Sequence, residues 1–577
     1  MKKIQLIIFL IFALLVSGCS RQQATETETK ETETTSTSAL FSDRDFEVGY
    51  DESESIYIQL NENTAACTSS AVKISDNIIT ISDEGTYILS GTLNDGMIIV
   101  DTDKTKKVQL VLDNVTIHSK TSAPIYILQA DKVFITMAAD STNTLSNGGT
   151  FTAIDENNID AVIFSKEDLT LNGAGTLIIT SPSGHGIVSK DALKITSGTY
   201  DINSASHALA GKDEAAFINA EFKIVSGKDG IHAENADDDT LGYINIISGT
   251  FDITAEGDGI SAANDLVIED GTFHITAGGG SINAAVKSSE SYGHFMGGGR
   301  HPDGPMQENF GQNPFDTTDS TSMKGMKAAA DLVINAGEFT IDTADDAIHS
   351  NASMTINGGI FEISSGDDAF HADENLTVSD GTINILESYE GLEALHLNIT
   401  GGNMTLKADD DGLNAAGGKD ASGMGGRDGM FGAASSNGSI SISGGTINIT
   451  AYGDGIDANG SLEVSGGYIV VCGPIQGDTS TLDYDTSATI SGGTFIGTGA
   501  AGMAQTFSDA KQGVIAFSVS NQSAETEITL TDSDGNIILT HTPDLPFEVV
   551  ILSSPKIISG QSYTLTMGTA SQVFTAK

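Results

Sequence analysis

The chain has no tryptophan, nine prolines and three cysteines among its 577 residues. Three cysteines exclude a disulfide-stapled scaffold. So few prolines exclude collagen-like or polyproline segments. Basic residues are scarce as well: 27 Lys and Arg stand against 78 Asp and Glu, a formal net charge of −51. That balance excludes a nucleic-acid binder, because phosphate recognition needs clustered Lys and Arg. Beyond the N-terminal stretch, no segment of useful length carries apolar residues at helical spacing, which excludes a helical bundle. Apolar residues make up 39% of the chain, enough to build a core and to exclude wholesale disorder. Glycine is abundant at 65 residues, and with so little proline it points to many tight turns.

The N-terminus has the layout of an export signal. Lys2 and Lys3 precede a short apolar run over residues 4–16, too short to span a bilayer comfortably. The run ends in Val16-Ser17-Gly18-Cys19, which resembles the bacterial lipobox. Residues 1–18 are therefore expected to be a lipoprotein signal peptide and Cys19 the lipidated N-terminus, so that an extracytoplasmic protein is lipid-anchored to the cell membrane or surface and otherwise folded in water. Residues 19–42, rich in alternating Thr and Glu, have nothing to bury and read as a disordered spacer. Cys67 and Cys472 read as buried free thiols.

Repetition organises the rest. Glycine-containing pairs recur before short alternating strands, at Ser248-Gly249, Asp270-Gly271, Ala336-Gly337, Gly358-Gly359, Asp380-Gly381, Gly401-Gly402, Gly444-Gly445 and Gly466-Gly467. Most steps are 21 or 22 residues, and the longer ones, 66 from Gly271 and 43 from Gly402, read as three and two periods. A unit of this length cannot bury its own apolar face, so successive coils must stack. The fold class is all-β: a right-handed parallel β-helix of ~22-residue coils over residues 43–504. Residues 282–329 and 417–438 break the repeat as loop insertions, and residues 505–577 form a small β-rich cap.

The turns carry the chemistry. Aligned on the residue before Gly or Ala, successive coils present Asp229, Asp258, Asp346, Asp368, Glu390, Asp411 and Asp454. Three residues later come His232, Ser261, His349, His371, Glu393, Asn414 and Asp457. Asp345, Asp367, Tyr389 and Asp410 stand one residue before the column. Stacked coils lie ~4.8 Å apart, where two carboxylates repel by about 0.9 kcal/mol in water and about 3.5 kcal/mol at an effective dielectric of roughly 20. A hard divalent cation offsets this, and Ca2+ accepts six to eight oxygen ligands in loose geometry. Asp229, Asp258, Asp345, Asp346, Asp367, Asp368, Glu390, Asp410, Asp411, Asp454 and Asp457 are accordingly the candidate Ca2+ ligands. A solvated acidic ridge without metal is one alternative. A transition ion held with the help of His232, His349 and His371 is another.

Three segments then carry a family resemblance: Gly85-Thr86-Tyr87-Ile88-Leu89-Ser90-Gly91-Thr92-Leu93, Val108-Gln109-Leu110-Val111-Leu112-Asp113-Asn114-Val115-Thr116-Ile117, and Phe164-Ser165-Lys166-Glu167-Asp168-Leu169-Thr170-Leu171-Asn172-Gly173. They resemble the calcium-binding β-helix carbohydrate-binding domain family of bacterial cell surfaces, first described from cellulolytic clostridia. The resemblance implies a right-handed β-helix related to pectate lyases, calcium sites, and binding of cellulose and acidic sugars such as polygalacturonate. It carries calcium ligation above all to Asp345-Asp346 and Asp367-Asp368.

Catalysis has less in its favour. A lyase on this scaffold needs a basic side chain beside the metal. Lys228 and Lys407 are the nearest in sequence and form no column. Gly184-His185-Gly186 resembles a motif of pectin hydrolases but reads as one more tight turn. A repeated binding edge is visible and a unique catalytic constellation is not. The expected function is therefore calcium-dependent polysaccharide binding by a monomer, with a uronate lyase and an adhesive rod as alternatives. Tyr389 and Tyr452 are the aromatic candidates for stacking on sugar rings.

Overall fold

The computed structural model describes residues 40–284, 322–416, 437–475 and 479–577. The export signal with Cys19, the spacer as far as residue 39 and most of both insertions lie outside the described residues. Among the described residues no helix is long and apolar enough to cross a membrane.

Period-two alternation sets the architecture. In Gly249–Ala255 the side chains of Phe251 and Ile253 are buried, while Asp252 and Thr254 face out. Each such strand pairs in parallel with its counterpart in the next coil: Phe251 with Phe273, Phe273 with Phe339, Phe339 with Phe361. The fold is a parallel β-helix. Its interior carries a ladder of rings from Tyr200 through Phe222, Phe251, Phe273 and Phe339 to Phe361, with successive centroids 5.1, 5.0, 4.9, 4.9 and 4.6 Å apart. That separation is the strand spacing itself, so one aromatic per coil continues the stack. The glycine before each strand turns the chain inward. At Gly337 the backbone is left-handed (φ +127°), and an added Cβ would lie 2.9 Å from the ring of Phe339.

The structure redraws some of the expected limits. Phe273 pairs directly with Phe339 and Met404 with Ile447, so the steps of 66 and 43 residues are single coils carrying insertions. An insertion at a turn leaves the neighbouring register untouched, because each coil contacts only its neighbours. Part of the expected insertion over 282–329 is coil: Met326–Ala328 pairs with both Ile260–Ala262 and Ile348–Ser350. Gly438 likewise already belongs to the strand Gly438–Ile442. The N-terminal coils take longer steps than 22 residues, as in the pairing of Leu145 with Ile179. At the N-terminal edge Phe41 is buried, and the 3-10 turn Asp43–Phe46 is fastened by Asp45, whose carboxylate meets Lys132 Nζ at 2.8 Å and accepts the Thr170 hydroxyl at 2.6 Å.

The C-terminal section closes the last coil. Asp509–Ala510 still pairs in parallel with the coil strand Ser487–Ile490, so the solenoid register runs past residue 504. Phe547–Ser553 then lies antiparallel to Thr494–Gly499 and to Val514–Gln522, covering an edge that would otherwise be open to other chains. A four-stranded antiparallel sheet completes the section. Both expected free thiols are free, Cys472 buried and Cys67 half-buried.

Candidate functional site

The short strands after the acidic turns are in register from coil to coil: Leu209, Ile231, Ile260, Met326, Ile348, Phe370, Leu392, Leu413 and Ile456 are successive partners. Two residues ahead of each stands the file His207, Asp229, Asp258, Lys324, Asp346, Asp368, Glu390, Asp411, Asp454. The seven acids expected in a column do form one. Lys324 and His207 are additions. Lys324 escaped the alignment because the long insertion hides its coil, yet Lys324-Gly325-Met326-Lys327-Ala328 has the pattern of Asp258-Gly259-Ile260-Ser261-Ala262.

The file has a backbone role of its own. One oxygen of an aspartate accepts the amide N–H of the next file residue: Asp229 from Asp258 at 2.9 Å, Asp258 from Lys324 at 2.8 Å, Asp346 from Asp368 at 3.1 Å and Asp411 from Asp454 at 2.6 Å. Short carboxylates at this station thus cap the turn of the following coil.

What faces the second oxygen divides the file. At Asp229 and Asp346 it is a lysine or histidine of the chain itself. Asp229 Oδ2 lies 2.8 Å from His232 Nδ1 and 3.3 Å from His207 Nδ1. Asp346 Oδ2 meets Lys324 Nζ at 2.6 Å and His349 Nδ1 at 2.8 Å, and Lys324 also reaches Asp345 Oδ1 at 3.0 Å. Burial alone would raise Asp229 and Asp346, but these partners outweigh it and hold both below the usual carboxylate range. The two carboxylates likewise outweigh burial at Lys324 and keep its ammonium protonated. Lysine and histidine thus lie against Asp229 and Asp346 in the first part of the file.

The later coils have no such partner. Among the described residues no Lys, Arg or His ion-pairs with Asp411, Asp454 or Asp457, and one oxygen from each lies within 4.8 Å of the others. Burial, then the charges of Asp410, Asp454 and Asp457, raises Asp411. Burial and neighbouring carboxylates push Asp454 and Asp457 up to about 7. Glu390 is raised for the same reasons and accepts the Asn414 amide at 2.7 Å. Asp345, Asp346 and Asp367 form a further carboxylate group beside Lys324. Asp258, fully enclosed, is raised by burial and by Asp229. Tyr389 is partly buried, its phenol raised by burial and by Asp410, so it is engaged within the acidic edge. Tyr452 is exposed.

At the other end of the file lies a cavity of about 560 Å³ lined by His185, Lys190, His207, Lys212, His232 and Glu234 among others. His185, His207 and His232 stack with centroids 5.1 and 4.2 Å apart. The Gly184-His185-Gly186 turn is thus a turn of the repeat whose histidine heads this stack. Burial, then the neighbouring His207 and Lys190 charges, lowers His185 to about 3. Sequence reasoning did not find Lys190 and Lys212, whose signal is only their step of one coil, 22 residues. The edge is therefore polar along its length, basic and aromatic at one end and carboxylate-only at the other.

The chain is similar to a carbohydrate-binding domain-containing protein of Acetivibrio thermocellus, 36% identical over 146 residues, which is 25% of this chain and 51% of that protein. The chain thus spans about half the length of this relative. It is also similar to a solved polysaccharide lyase-like protein from C. thermocellum, a gadolinium derivative, at 32% identity over 39% of this chain and 92% of that one, with a TM-score of 0.38. The model of the carbohydrate-binding domain-containing protein family matches residues 75–369 and 369–544, most of the chain, and this protein belongs to that family.

Proposed function

We propose that this protein is a non-catalytic, calcium-dependent binder of acidic polysaccharides such as polygalacturonate, held at the cell surface by a lipid on Cys19. The observation that carries the reading is the group Asp411, Asp454 and Asp457, with Asp410 beside it. It is a carboxylate-only cluster, whereas Asp229 and Asp346 in earlier coils face a lysine or histidine of the chain itself. The donor set fits Ca2+, a hard ion that takes oxygen ligands in flexible number. Bound there, the ion would supply positive charge at an edge that otherwise repels a polyuronate. Asp411, Asp454 and Asp457 would hold it, with Asp410 as a further oxygen donor.

The residues of the basic end support the same ligand class. Lys190 and Lys212 line the cavity one coil apart and present cations to sugar carboxylates, with the histidine stack lining the same cavity. A polyuronate laid along the edge would meet lysines at one end and metal at the other. The lyase alternative loses support at Lys324, the lysine nearest the carboxylates. Proton abstraction needs a neutral amine, and Lys324 is a buried counter-ion to Asp345 and Asp346.

The test is polygalacturonate binding by titration calorimetry in millimolar Ca2+ and in excess EDTA. Binding is expected with Ca2+ and lost with the chelator, and Asp411→Asn with Asp454→Asn is expected to reproduce the loss. Undiminished affinity in EDTA overturns the calcium reading. A growing ultraviolet absorbance of unsaturated uronate during the assay overturns the non-catalytic one. Lipidation is checked by fatty-acid labelling, which Cys19→Ala should abolish.

A further inference from the structure

Asp368, His371 and Glu393 meet in a way that the rest of the file does not. Asp368 opens one coil, His371 follows three residues later, and Glu393 is the register partner of His371 in the next coil. His371 Nδ1 lies 3.0 Å from Asp368 Oδ2 and 2.9 Å from Glu393 Oε2. A ring nitrogen carries at most one proton and satisfies one acceptor well. Here two carboxylate oxygens converge on it in a place closed to water, with Asp368 0% and His371 1% exposed. Asp368 also breaks the capping pattern of the file. Its Oδ1 is buried without a hydrogen-bond partner, where the aspartates of other coils accept an N–H. A buried, unmatched carboxylate oxygen is costly.

A metal ion in place of the proton, held by both oxygens of Asp368, would resolve both features. Ligand atoms of an ion with bonds near 2.1 Å lie about 3.0–3.4 Å apart, so side chains already this close need only a small shift to hold one. An imidazole donor favours a transition ion over Ca2+. His371 Nε2 is buried without a hydrogen-bond partner and faces Asp373 Oδ1 at 3.4 Å, the side from which a carboxylate would orient a metal-bound histidine. The neighbouring Asp346 and His349 are already matched to Lys324 and Asn351, which places the site one coil further on.

We propose that Asp368, His371 and Glu393 form a buried centre for one divalent first-row transition ion of the zinc or cobalt type, pinning two adjacent coils together. The centre goes beyond the calcium reading and does not depend on it.

The full chain is produced in zinc-supplemented medium, purified in millimolar Ca2+, and its metal content measured. One zinc per chain is expected to survive the excess Ca2+, to vanish in His371→Gln, and to persist in His232→Gln, which alters the other histidine–carboxylate group. Wild-type protein that retains no zinc, or His371→Gln that retains as much as wild type, overturns the proposal. Should His371→Gln fail to fold, cobalt-loaded wild type decides: a nitrogen ligand in its X-ray absorption spectrum is expected, and an all-oxygen shell overturns the centre.

Discussion

Lys324 and Asp346 occupy the same station on successive coils, and their charged groups meet at 2.6 Å with both side chains enclosed. A lysine is thus built into a column of acids, between Asp258 and Asp346. Removing one member of a buried ion pair leaves the other unmatched, at a cost of about 3–5 kcal/mol. Lys324→Met should therefore lower the thermal midpoint markedly in EDTA. It also frees Asp345, Asp346 and Asp367, which already lie close enough to share an ion, so millimolar Ca2+ should restore much of the loss. Scanning calorimetry with and without Ca2+ measures both effects. A variant as stable as wild type in EDTA would show that the pair contributes nothing.

Asp454 and Asp457 would make the proposed calcium binding proton-linked. Their carboxyls, pushed up to about 7 in the folded chain, titrate near 3.9 when unfolded. A native pKa above the unfolded one means that the metal-free fold holds protons which the unfolded chain has released. This contribution to stability is therefore complete below about pH 4 and is lost as pH rises through about 7. Calcium needs the ionised form, so its binding should expel protons at pH 6 and almost none at pH 8.5. Calorimetry in two buffers of different ionisation heat reads the number released. Equal values at both pH settings would contradict the assignment, and Asp457→Asn should reduce the number at pH 6.

The basic cavity should show itself through salt. Lys190→Glu with Lys212→Glu reverses two charges one coil apart. Lys190 also lies over the Phe164 ring at 5.6 Å, and Lys212 pairs with exposed Asp237 at 2.6 Å, so the thermal midpoint is measured alongside to confirm that the variant is folded. Affinity for polygalacturonate should fall by about tenfold or more, and the remaining binding should depend less on ionic strength. Titration at two salt concentrations, with a neutral glucan for comparison, checks this. Unchanged affinity would remove the cavity from the binding edge.

The acidic file was legible because its spacing and the strand register share one cause. A residue fixed relative to a turn recurs at the same station, so Asp229 through Asp454 could be aligned from their glycine and alanine neighbours alone. What compensates the acids was less legible. His232, His349 and His371 were visible at the correct offset, but the pairing of each imidazole with the carboxylate of its own coil depends on side-chain direction, which spacing does not supply. Lys324 was hidden by an insertion that stretched one coil to 66 residues and made it resemble three. The longer N-terminal coils and the antiparallel cap were placed only approximately, because neither repeats.

The ring ladder supplies the last prediction. Phe339 is enclosed between Phe273 and Phe361 at 4.9 and 4.6 Å, and its ring also lies over Gly337. Phe339→Ala opens a cavity in the middle of the stack and should cost about 3–5 kcal/mol. Because a solenoid coil interacts only with its neighbours, the loss should stay local. Hydrogen exchange should quicken in Thr272–Ala277, Glu338–Thr343 and Ile360–Ser365, while the strands Lys132–Met137 and Phe547–Ser553 keep their protection. Uniform loss of protection along the whole chain would mean that the coils unfold as one unit, and that the stacked rings couple distant coils more strongly than nearest-neighbour packing allows.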